Sequence, residues 1–111
     1  MIDANLFERL CRDIEASRDD MVELQRILTA IPALAPESGG DGEDEKARAL
    51  EHVLELWGFK DVLRFDAPDE RTSTGTRPNI LATIPGKRTD RTLWIISHID
   101  VVPPGELSLW S

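Results

Sequence analysis

Four consecutive apolar residues, Leu93, Trp94, Ile95 and Ile96, constrain the fold of this chain more than any other stretch. A strand with one wet face alternates apolar and polar side chains. The run from Thr92 to Ser97 does not, which predicts a central strand covered on both faces, and hence helices layered on a sheet. The upstream sequence offers helices of the right kind. Leu6, Phe7, Leu10, Cys11 and Ile14 recur at spacings of three and four, and Met21, Leu24, Ile27, Leu28 and Ile31 repeat the pattern. Both stretches read as amphipathic helices. Between them the sequence SRDD offers a fresh helix start, with Asp20 three residues ahead of Glu23 as in a capping box, so a break is expected there. Ala47, Leu50, Val53, Leu54 and Trp57 form the stripe of a third helix. Gly58 suits the left-handed position that follows a helix, with Phe59 turning back toward Leu54.

Beyond this helix DVLRFDA (61–67) carries a weak strand signal, RTSTGTRP (71–78) reads as a loop, and NILATIP (79–85) is a clearer strand closed by Pro85-Gly86. The expected fold class is therefore α/β, with helices packed on a partial sheet.

With 111 residues, 41% hydrophobic and 31% charged, the chain has the composition of one globular unit. Thirteen basic against twenty-one acidic side chains leave a net charge of −8, which repels nucleic acid and anionic membranes alike, so neither is an expected partner. The first twenty residues carry charges every few positions and lack the apolar core of a secretion signal. Cys11 is the single cysteine and has no internal disulfide partner. Together these features point to the cytoplasm. Cys11 itself reads as a small apolar residue on a buried helix face.

The segment APESGGDGEDE (35–45) alternates glycines with carboxylates. It is no phosphate cradle, because a P-loop needs a lysine and a hydroxyl residue where this one has Glu43, Asp44 and Glu45. Nor do its acids follow the EF-hand spacing. It is expected to be a flexible loop whose last acids start the third helix. His52, with no acid or cysteine at ligand spacing on its face, reads as a helix-surface histidine.

The chemistry concentrates at His98 and Asp100. His98 follows the most apolar strand, and in open α/β sheets ligands bind beyond the carboxyl ends of strands. If the backbone stays extended, His98 and Asp100 project to one side and Ser97 to the other, which disfavours a Ser97–His98 nucleophilic pair. Three roles remain open for the pair: a metal-binding imidazole oriented by a carboxylate, a general-base dyad, or a structural hydrogen bond at a strand end.

The block SHIDVVPPGELSLW (97–110), reached through an apolar strand and preceded by IPALAPESGGDGEDEKARALEHVLELWGF (31–59), resembles the amino-terminal part of the M20 family of zinc-dependent metallopeptidases and amidohydrolases. That group includes acetylornithine deacetylase, succinyl-diaminopimelate desuccinylase and the aminoacylases. The resemblance runs from about Asp20 to the end. It implies that His98 is a metal ligand, that Asp100 orients it and supports catalysis, and that the metal is Zn2+, two ions in the complete enzyme, with Co2+ as an alternative. The substrate it implies is a small acylated amino acid or short peptide cut at an amide bond, by an enzyme that is homodimeric when complete. The family's other ligands and its general-base glutamate have no matching positions here. Residues 1–111 are accordingly expected to be the incomplete amino-terminal part of a single catalytic domain, inactive alone. The alternative is a non-catalytic binding or interaction module in which the His98–Asp100 pair is structural.

Overall fold

The computed structural model describes residues 3–110. They divide into two units, one ending at Ala30 and one beginning at Ile31.

The first unit is a pair of helices, α1 (Ala4–Ala16) and α2 (Arg18–Ala30), which pack on each other. Asp3 caps α1, its carboxylate accepting from the Asn5 backbone N–H at 2.8 Å. The expected break falls at Ser17, the first residue of SRDD, and Asp20 is not the cap that follows it. The Ser17 hydroxyl donates to the Asp13 carbonyl at 2.9 Å, and Met21 N–H already reaches the Ser17 carbonyl at 3.0 Å, so Asp20 lies inside the first turn of α2. There its charge serves the helix dipole and forms no capping box. The periodic stripes are present, but neither helix has a buried residue, and Leu6, Phe7, Leu10 and Ile14 are all exposed. Cys11 is exposed as well, contrary to the expectation of burial. Periodicity names the face a helix would bury, and the α1–α2 pair alone has too little surface to cover it.

The second unit is mixed α/β. Helix α3 (Asp44–Leu56) packs on an antiparallel hairpin, β1 (Asp61–Pro68) and β2 (Thr76–Thr83), mainly against β2. Its end has the expected form: Gly58 adopts φ +84°, its N–H reaches the Glu55 carbonyl at 2.9 Å, and Phe59 N–H reaches the Leu54 carbonyl at 3.0 Å. These two bonds are the Schellman pair, satisfying carbonyls the helix leaves open. His52 is exposed on α3, as expected. The register pairs Arg64 with Ile80 and Val62 with Ala82, placing Val62 and Arg64 on the half-buried face and Leu63 and Phe65 on the exposed one. Short 3₁₀ turns cover Pro36–Ser38 and Leu107–Leu109.

Fully buried apolar residues in this unit are small. Ala33 and Ala47 have no exposed surface, and among the described residues no large side chain is completely buried. No helix is long and apolar enough to cross a membrane among the described residues.

The run from Thr92 to Ser97 is not a central strand in this structure. It joins no ladder, and Leu93, Ile95 and Ile96 are between 86% and 88% exposed. A strand is defined by its neighbours' hydrogen bonds, and the only ladder among the described residues is β1–β2. Apolar composition alone cannot supply a partner.

Candidate functional site

His98 and Asp100 come together as their spacing suggests. The His98 Nδ1 lies 3.0 Å from the Asp100 carboxylate Oδ1 and 3.0 Å from the Asp100 backbone carbonyl oxygen. A carbonyl oxygen can only accept, so this geometry puts a ring proton on Nδ1, and in the neutral ring the lone pair is then on Nε2. The His98 side chain is 84% exposed, so Nε2 is open to an incoming ligand. The Ser97 hydroxyl turns to the His98 carbonyl at 3.4 Å and not to the ring. That arrangement gives no activated serine.

The segment carrying the pair is tied back to the start of the unit. Leu34 and Val101 form a parallel bridge, with Val101 N–H donating to the Ala33 carbonyl at 3.0 Å. Ala33 is fully buried, whereas Ile99 and Asp100 are half-buried. One residue past the H-x-D pair, the backbone is thus fixed on a buried anchor.

The anchor adjoins the glycine-acid segment, which is bonded to it and to the hairpin. Gly42 N–H donates to the Leu34 carbonyl at 2.9 Å, and Gly40 N–H reaches the Ala35 carbonyl at 3.2 Å. The acids are spent on the hairpin. Asp41 accepts from the Ser73 backbone N–H at 2.6 Å and from the Ser73 hydroxyl. Glu37 accepts from Arg71 at 2.6 Å. Glu43, only 4% exposed, receives both arms of the Arg77 guanidinium, Nε at 3.0 Å and Nη2. Asp44 takes Arg64 and Arg48, the latter at 2.7 Å, and Arg64 also reaches Asp66 at 2.7 Å. Forked pairs of this type fix geometry as well as charge.

The electrostatics follow the contacts. Bonds from Ser73, side chain and then backbone, hold the Asp41 carboxyl below its ordinary range. The Arg71 guanidinium pulls Asp69 down to about 2. Burial pushes Asp44 upward, and the bonds from Arg64 and Arg48 outweigh it, so its pKa is lowered. Arg77 is held more firmly protonated by the bond to Glu43, with smaller contributions from the charges of Glu37 and Asp100.

Sequence reasoning missed this set of arginines. The available signal was the recurrence of Arg64, Arg71 and Arg77 in and around a predicted hairpin opposite the acids of residues 37–44.

As a metal site, the donor set is one imidazole with an orienting carboxylate. Among the described residues, no group of three or more His, Cys, Asp or Glu side chains gathers in a way that could hold an ion. A catalytic zinc site takes about three protein ligands plus water. The pair therefore fits one corner of a shell and not a whole one.

Comparison with known proteins is consistent with that chemistry. No family model matches the chain, and no solved structure matches it. It is 33% identical over 99 residues to a protein of Methanococcus maripaludis named an uncharacterized metallohydrolase, and 36% identical over 101 residues to one of Methanocaldococcus jannaschii with the same description. The matches take in 84% and 83% of this chain but only 23% of either relative. Along most of its length, the chain is thus similar to about a quarter of two archaeal proteins named as metallohydrolases.

Proposed function

We propose that residues 1–111 belong to a metal-dependent hydrolase of the M20 type, as the amino-terminal part of its catalytic domain, and that His98 is one of its metal ligands. The observation that carries this is the double acceptor on His98 Nδ1, which leaves the Nε2 lone pair exposed. The names of the two archaeal relatives support a metal-dependent hydrolase in general. Zinc, a pair of ions, and the amide bond of an acylated amino acid or short peptide are the finer parts of the proposal. They rest on the H-x-D-V-V-P-P-G block (98–105).

In such an enzyme His98 would help hold zinc, which would supply polarisation of the scissile carbonyl and a lowered pKa for its water. This chain's contribution is to present the ligand. Asp100 holds the proton on Nδ1 and fixes the ring's orientation. The chain's own acids at residues 37–44 do not compete for the ion, because arginines and Ser73 occupy them.

The test uses the protein translated from the complete reading frame, assayed for metal content and for hydrolysis of N-acyl amino acids. His98→Ala is expected to lose metal and most activity. Asp100→Asn should keep much of the metal but lose about 10 to 100-fold in rate, since an amide can hold the ring in the wrong tautomer. Wild-type metal content and turnover in both variants would refute the assignment.

A further inference from the structure

We infer that Gly40 is a positioning residue for the His98–Asp100 pair, acting through the backbone of Leu34 and Ala33 on Val101. The inference takes its purpose from the metal-ligand proposal, but the geometry is independent of it.

Gly40 is the residue at which the glycine-acid segment crosses the backbone of Leu34. A Cβ built there would lie 2.1 Å from the Leu34 carbonyl oxygen and 2.4 Å from Leu34 Cβ. No side chain fits in that space, so only glycine permits the crossing. The crossing matters because both carbonyls in the Ala33–Leu34 stretch are engaged. The Leu34 carbonyl receives Gly42 N–H from the segment itself, and the Ala33 carbonyl receives Val101 N–H from the chain just past Asp100. Glu43 and Asp41, which close the same segment, are pinned to Arg77 and Ser73 of the hairpin. Hairpin, glycine crossing and Val101 bridge therefore form one mechanical path. At its end lies a highly exposed imidazole whose only bonds from the ring are to Asp100. Among the described residues, nothing else bonds the ring, so its direction is set by where the backbone of residues 98–101 is held.

The path makes a claim about one amide and one ring. In the unaltered chain, Val101 N–H should be protected from hydrogen exchange. The ring nitrogens of His98, measured by 15N chemical shift at a pH where both histidines are neutral, should show a protonated Nδ1 and a bare Nε2. His52, exposed on α3, supplies the solvent-averaged tautomer mixture in the same sample. Gly40→Ala should lower Val101 protection by about fivefold or more, the weight of one hydrogen bond. It should also move the His98 shifts toward those of His52 while the Arg64–Ile80 pairing of the hairpin persists. Gly86→Ala, where a Cβ meets nothing nearer than 3.7 Å, should change neither. An unprotected Val101 amide in the unaltered chain would overturn the inference without any variant. So would Gly40→Ala with unchanged Val101 protection and unchanged ring shifts. None of these measurements involves metal, so loss of the metal-ligand proposal would be seen separately, in the metal content of His98→Ala.

Discussion

Three glycines separate the two physical reasons for which a position can require glycine, and their replacement by alanine should give three different stabilities. At Gly58 the constraint is torsional. Its φ is +84°, while a Cβ there would meet no atom within 4 Å. An L-residue held in the left-handed region costs about 1–2 kcal/mol. Alanine also stiffens the unfolded chain, which returns about 0.4–1 kcal/mol. The net loss expected for Gly58→Ala is therefore about 0.5–1 kcal/mol, and Gly58→Asn should recover part of it, because asparagine tolerates this region. At Gly40 the constraint is steric: the new Cβ would sit 2.1 Å from the Leu34 carbonyl oxygen, a backbone atom that cannot swing aside. The cost belongs at the upper end of overpacking, about 3 kcal/mol. At Gly86 neither constraint operates, and Gly86→Ala should stabilise by about 0.4–1 kcal/mol through the unfolded chain alone. Urea unfolding followed by far-UV circular dichroism and by tryptophan fluorescence gives the three midpoints at common slope. The expected order is Gly86→Ala above the unaltered chain, then Gly58→Ala, then Gly40→Ala. A Gly40→Ala midpoint at or above that of Gly58→Ala would refute the steric argument.

Asp69 titrates at about 2 in the folded chain against an ordinary 3.8, because Arg71 holds its charged form. A depressed carboxylate stabilises fully above its unfolded pKa and loses that contribution as pH falls through the folded one. Arg71→Met should therefore flatten the acid limb of a pH-dependent melt between 3.8 and about 2. Ile95→Lys should alter self-association of the 111-residue chain more than Ile14→Lys does, since Ile95 is flanked by exposed apolar neighbours with open backbone groups, as sedimentation velocity at several concentrations would reveal. Calorimetric titration of the same chain with zinc should give no tight stoichiometric site, because one imidazole does not complete a shell. A submicromolar site would mean that other donors gather around His98.

Legibility from sequence divided along the distance of the interactions. The three helices, the break between α1 and α2, the Schellman end at Gly58 and the two strands of the hairpin are local. Each is written in residues three, four or two apart, and each was legible to within a few positions. The His98–Asp100 contact was legible for the same reason, being two residues long. What escaped was non-local. Glu37 meets Arg71, Asp41 meets Ser73 and Glu43 meets Arg77 across more than thirty residues, and no periodicity announces such pairs. The glycine-acid segment consequently read as flexible when it is bonded on both sides. The two failures of burial have a related cause. Cys11 and the Leu93–Ile96 run have the composition of covered surface, and composition does not supply the cover.

The bridge between Leu34 and Val101 has a kinetic consequence. The β1–β2 hairpin closes through a short turn, with Asp69 N–H on the Gly75 carbonyl at 2.9 Å, and can form in microseconds. The bridge instead joins residues 34 and 101, so a far longer loop must close before the Val101 N–H reaches the Ala33 carbonyl. The hairpin and α3 therefore assemble first, and the stretch that carries His98 is the last to be fastened. An ion entering from solution would therefore find its imidazole ligand in place only after the rest of the unit has folded.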